Sequence, residues 1–115
     1  MRNRKVVKTT SMTFGEAIEH LNEGRLVQRS GWNGKGLFVF RQADATISSA
    51  IVPKMQSLPQ LVKDEFTRRF NDETQQIDAI YYHNQLALVG SSNLISGWAP
   101  SVSDALADDW QLYKH

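Results

Sequence analysis

The Asn33-Gly34 pair most constrains what this chain can fold into, because it lies between two runs rich in strand-forming residues, Arg25 to Arg29 and Leu37 to Arg41. A two-residue hairpin needs positive φ at both central positions, which Asn-Gly supplies at little steric cost. The sequence therefore predicts an antiparallel pair here. Ile77 to Tyr82, Leu86 to Val89 and Leu94 to Trp98 form three more β-rich runs, separated by Asn84-Gln85 and by Gly90-Ser91-Ser92-Asn93, and predict a three-stranded meander.

Helices are signalled at three places. Thr13 and Glu16 have capping-box spacing, Phe14, Ala17, Ile18 and Leu21 share a helical face, and Gly24 supplies a left-handed stop, predicting a helix over 14–23. Leu58, Leu61, Val62, Phe66 and Phe70 recur at three and four with Pro59 in the first turn, predicting a second helix that ends near Asn71. Ser101 and Asp104 repeat the capping pattern and predict a short helical turn through Ala107, followed by a closing strand over 110–113. Residues 42–56 read mostly as loop, with Ala50-Ile51-Val52 as a brief edge. The fold class expected is α+β: an antiparallel sheet with two α-helices packed on it and a short C-terminal helical turn.

At 115 residues the length suits one domain, read as a flexible basic extension over 1–11 and a ligand-binding domain over 12–115 with a middle segment inserted at 42–83. No apolar run approaches a membrane span, and the basic start leads into no long apolar region, so no membrane partner is expected and the cytoplasm is the expected compartment. The absence of cysteine excludes disulfides and thiolate chemistry. Net charge is +1, but Arg2, Arg4, Lys5 and Lys8 supply four of the 13 basic residues, leaving nine against 12 acids in the remainder. That balance excludes a duplex nucleic acid as partner, since duplex binding needs a broad basic face.

Catalytic equipment is sparse. Lys35 precedes Gly36 and a strand follows, so Gly31-Trp32-Asn33-Gly34-Lys35-Gly36 is neither a phosphate loop nor a dinucleotide fingerprint. His20, His83 and His115 share no metal-ligand spacing, no serine sits in a nucleophile elbow, and Asp108-Asp109 reads as the solvated end of a turn. No catalytic residue, metal or cofactor is expected. Binding chemistry is better supplied: Arg25, Arg29, Lys35 and Arg41 occur in a stretch without an acid, the glycines let backbone N–H groups approach an anion, and Trp32 offers a stacking face. Trp32 and Trp98 also suit core positions beside turns, and the spacing of Leu106, Trp110 and Leu112 makes Trp110 a packing anchor.

Three ordered motifs carry a resemblance: Met12-Thr13-Phe14-Gly15-Glu16-Ala17-Ile18, Gly31 to Gly36, and Trp98-Ala99-Pro100-Ser101-Val102-Ser103-Asp104-Ala105-Leu106-Ala107-Asp108-Asp109-Trp110. Over 12–41 and 94–113 the chain resembles the small phage and bacterial family that includes the second type of Thoeris anti-defence protein. The resemblance implies a non-catalytic sponge that sequesters cyclic ADP-ribose isomers, and in some members cyclic dinucleotides, in pockets formed where protomers of a homotetramer meet. It implies that Trp32 and Trp98 line the pocket, that Asn33 and Asp104 give polar contacts, and that Ser101 lies close by. Indole faces suit an adenine, carboxylates and amides suit ribose hydroxyls, and Arg29 or Lys35 with the loop N–H groups suits a pyrophosphate. Two other classes remain open: a structural or protein-interaction module of a phage or prophage, and a phosphodiesterase or glycohydrolase on the same ligands. The middle of the chain departs from the compact form of that family.

Overall fold

A computed structural model describes residues 7–32 and 35–114. In chain order its elements are α1 (Phe14–Asn22), β1 (Val27–Arg29), β2 (Phe38–Gln42), β3 (Ala45–Ser48), α2 (Gln60–Phe70), β4 (Ala79–Tyr82), β5 (Gln85–Val89), β6 (Ile95–Gly97), α3 (Val102–Leu106) and β7 (Trp110–Leu112), with 3-10 turns at Ser30–Trp32 and Val52–Lys54. The class is α+β, with an antiparallel sheet in the order β6-β5-β2-β1-β7 and a separate antiparallel pair, β3-β4. The chain divides into two compact units: one takes the residues up to Gln42 and from Gln85 on, the other is Ala43–Asn84. Among the described residues no helix is long and apolar enough to cross a membrane.

In the first unit, α1 starts where its sequence predicts. The Thr13 hydroxyl accepts the Glu16 N–H at 3.2 Å and the Glu16 carboxylate accepts the Thr13 N–H at 3.0 Å, satisfying two donors that a helix start leaves unpaired. Ala17, His20 and Leu21 are buried along its inner face, and Gly24 ends it at φ +86°. The core is Met12, Ala17, Leu21, Val27, Val39 and Trp110. Residues 1–6 of the expected extension lie outside the described residues. From Lys8 the chain is bonded to the body: Thr9 O accepts the Leu112 N–H at 2.9 Å, and Met12 and Trp110 exchange backbone bonds at 2.8 and 3.1 Å.

Strand pairing departs from the sequence expectation in three places. The Asn33-Gly34 pair lies outside the described residues, but β1 ends at Arg29, β2 begins at Phe38 and the pair meets at Val27 opposite Val39, so the connection is longer than a two-residue turn. The cause is Asp109: its carbonyl takes the Ser30 N–H at 3.0 Å and its carboxylate takes the Gly31 N–H at 3.1 Å, which diverts the chain into a 3-10 turn. The meander over 77–98 is not formed either. Both edges of β5 are occupied, by β2 over five residue pairs and by β6, so β4 pairs instead with β3. Finally, β3 lies at Ala45–Ser48 within the stretch read as loop, with Ile47 opposite the buried Ile80, while Ile51 closes a turn onto Ser48 O and Pro53 opens the second 3-10 turn, leaving no edge strand at 50–52.

In the second unit, α2 begins after Pro59 and places Val62, Phe66 and Phe70 one turn apart, with the two phenylalanine rings stacked at 6.3 Å. None of its residues is fully buried, and Leu61, expected on the inner face, is 82% exposed. The buried side chains here are Val52, Ala79 and Ile80.

Candidate functional site

Three tryptophans far apart in sequence meet in the first unit. Trp110, fully buried, holds Trp32 at 5.5 Å and Trp98 at 6.0 Å between ring centroids, both edge-to-face, and Phe14 packs at 5.3 Å from Trp110 and 6.1 Å from Trp98. Edge-to-face contact matches the positive rim of one ring to the negative face of another. The Trp110 indole N–H donates to Asp104 O at 2.9 Å, which fixes the central ring. Trp32 and Trp98 are only half-buried, so each is packed against the core on one side and retains accessible surface.

Beside the rings stands an ion cluster. Arg29 donates from Nε to Asp109 at 2.9 Å and from Nη1 to Asp104 at 3.0 Å, and the three side chains, in the order Arg29, Asp109 and Asp104, are 24%, 28% and 15% exposed. The two carboxylates hold the guanidinium pKa above its ordinary value, Asp109 contributing most. Burial pushes both carboxyls up. At Asp104 the Ser101 N–H and Arg29 outweigh it, and at Asp109 Arg29 and the Gly31 N–H do, so both titrate below the ordinary carboxylate range. One cation against two acids makes the cluster a net anion near neutral pH. It accepts hydrogen bonds and offers no group poised to take a proton.

The expected site residues have separate placements. Ser101 and Asp104 cap α3 reciprocally at 3.0 Å each way, so the Ser101 oxygen is engaged locally and Asp104 joins cap and cluster. Arg29 faces these acids, and only its Nη2 has no hydrogen bond among the described residues. Lys35 is exposed and pairs with no carboxylate among the described residues. Asn33 lies outside the described residues.

Asp109 is the residue that sequence reasoning missed. Read as solvated, it is half-buried and also accepts the Ser30 hydroxyl at 3.3 Å. The signal was present: a stretch with four cations and no acid needs counter-charges from elsewhere, and the C-terminal motif carries them. The backbone opposite is as closely matched, since a Cβ on Gly31 would stand 3.2 Å from the Asp109 carboxylate.

His20 is buried, with Nε2 at 2.7 Å from Lys8 O and Nδ1 at 3.2 Å from the Arg25 guanidinium. A carbonyl only accepts and a guanidinium only donates, so the proton sits on Nε2. Among the described residues no three His, Cys, Asp or Glu side chains group as metal ligands.

The sequence that builds this site is matched by known proteins. A sequence model of the Thoeris anti-defense 2-like domain spans residues 12–113. The chain is also 33% identical over 103 residues to Thoeris anti-defense 2 of Bacillus phage SP01, across 90% of this chain and 96% of that protein. Matches of that extent, to a family model and to a full-length relative alike, show that the chain belongs to the Thoeris anti-defense 2-like family, an anti-defence family.

Proposed function

We propose that this protein counteracts Thoeris immunity by sequestering a cyclic nucleotide signal, a cyclic ADP-ribose isomer in the first instance and cyclic dinucleotides as a further class, and by releasing it unaltered. The observation that carries this is the pair of half-buried indoles, Trp32 and Trp98, held by one buried ring beside two ionised carboxylates. Each accessible indole surface suits a base, with stacking worth about 1–3 kcal/mol. Asp104 and Asp109 suit ribose hydroxyls, which donate. Because the cluster is a net anion, the pyrophosphate falls to Lys35 and the free Nη2 of Arg29, with Asn33 joining Asp104 in polar contacts and Ser101 close by. Two carboxylates titrating below their ordinary range, with no raised base beside them, are consistent with capture without turnover.

A pocket completed by another copy follows the same chemistry. Val102 and Leu106, one turn apart on α3, are 76% and 79% exposed, and edge strand β6 with the residue before it exposes Ile95 and Leu94. Such surface is covered most simply by a symmetric dimer or a dimer of dimers. The compartment is the cytoplasm of the bacterial host, where the signal is made.

Native mass spectrometry with cyclic ADP-ribose isomers and cyclic di- and trinucleotides tests all three parts. The expected result is an oligomer that gives back ligand of unchanged mass after heating, with Trp32→Ala and Trp98→Ala weakening capture at least about tenfold while the oligomer persists. A changed ligand mass makes the protein a phosphodiesterase or glycohydrolase. Binding of nothing, with both variants unfolded, makes it a structural module, the reading favoured by the contact of both rings with the core.

A further inference from the structure

The Ala43–Asn84 unit contains a cavity of about 390 Å³, formed wholly by its own residues. Val62, Phe66 and Phe70 of α2 line it together with Ile77 and Tyr82, and one charged residue, Arg69, stands in its wall. The volume lies in the range of pockets that enclose small ligands.

Hydrogen-bond donors stand unengaged at this wall. Arg69 spends only Nε, on Glu65 at 2.9 Å, and both of its Nη groups have no hydrogen bond among the described residues. Glu65 lies outside the cavity wall and also accepts from Nε and Nη2 of Arg68, at 3.1 and 2.6 Å, while Asp72 accepts from Thr74 and faces Arg68. An entering anion would therefore find both Nη groups of Arg69 unengaged and meet no acid among the lining residues. The remaining wall is apolar or aromatic, apart from Gln75 and the tyrosine hydroxyls, and burying several charges against it would carry a large desolvation cost. The chemistry that suits both features is one negative charge on an apolar body.

We propose that this cavity is a ligand site for an apolar monoanion, an aromatic or aliphatic body carrying a single carboxylate or sulfonate, whose charge is met by Arg69. The site is independent of nucleotide capture by the first unit. Fluorescence titration of the full chain with 8-anilinonaphthalene-1-sulfonate and with neutral N-phenyl-1-naphthylamine tests it. Both should saturate at one per chain. Arg69→Gln, at an exposed position, should weaken the sulfonate about tenfold, the worth of a charge-assisted hydrogen bond, and leave the neutral dye unchanged. Val62→Trp should fill the cavity and abolish both, with near-UV circular dichroism reporting the fold. The proposal is overturned if neither dye saturates, as happens when another copy covers the cavity, if Arg69→Gln affects both dyes alike, or if binding disappears with Trp32→Ala.

Discussion

The two units of this chain are held together in different ways. In the first, large side chains, Trp110, Met12 and Leu21 among them, are sealed completely, and an ion cluster joins β1 to the first turn of α3 and to the residue before β7. In the second, the buried groups are aliphatic, Val52, Ala79 and Ile80, while the aromatic ones, Phe66, Phe70 and Tyr82, are half-buried or exposed around a cavity. Hydrophobic stabilisation follows the area removed from water, so equal aromatic content stabilises the units unequally. Sealed packing of this kind preorganises the surface that bears the indole cluster, and the second unit is expected to open at lower cost.

The largest expected difference tests that contrast directly. Trp110→Ala removes a sealed ring, three aromatic contacts and the bond to Asp104 O, and should cost about 3–5 kcal/mol, a large fraction of the stability of a domain this size. Phe66→Ala removes a half-buried ring and should cost about 1 kcal/mol. Urea unfolding followed by far-UV circular dichroism compares them. Equal costs would mean that α2 is as firmly packed as the central indole.

Next in size are the ion pairs. Asp109→Ala leaves Arg29 with Asp104 as its one acid and takes the acceptor from the Arg29 Nε–H, the Ser30 hydroxyl and the Gly31 N–H, for about 2 kcal/mol after allowance for solvent access. Glu65, whose pKa is lowered to about 2 by Arg68 and Arg69, forms exposed pairs on the helix surface, and Glu65→Gln should leave Tm unchanged. The pH dependence follows the sign of the shifts at Asp104 and Asp109. Both are depressed in the fold, so the unfolded chain binds protons first. Their contribution is complete above about pH 5, shrinks as pH falls through the ordinary aspartate range near about 3.9, and is gone below the folded values. Asp109→Asn should flatten that acid limb, and an acid limb identical to the parent's would remove Asp109 from the account.

The division between what the sequence discloses and what it conceals has a physical basis. Both capping boxes are legible because Thr13–Glu16 and Ser101–Asp104 are bonded three residues apart, within reach of a local pattern. Strand partnership is not, because it is decided by competition for edges: β5 pairs with β2 and β6, and no local feature of Ile77 to Tyr82 states that its partner is Ala45–Ser48. The length of the connection from β1 to β2 is likewise set by a distant residue, since Asp109 takes the N–H groups of Ser30 and Gly31. The motifs single out the indole pair, whereas the buried ring that both touch reads only as an anchor. That Trp110 joins the two is a fact of three-dimensional packing.

The smallest effects sharpen the same comparison at the level of the backbone. The first unit places a glycine where α1 must stop, Gly24 at φ +86°, with no atom within 4 Å of where a methyl group would stand, so Gly24→Ala would meet no clash and only left-handed strain, about 1 kcal/mol. The second unit places Gln76 at φ +54°, where a side chain carries that strain in the parent. Gln76→Gly removes it while giving the unfolded chain more freedom, and the two terms nearly offset. The expected outcome is a Tm lowered by Gly24→Ala and unchanged or slightly raised by Gln76→Gly, read by differential scanning calorimetry. A substantial loss at Gln76→Gly would show that its side chain contributes to the second unit through contacts, and that this unit is less loosely made than its half-buried rings imply.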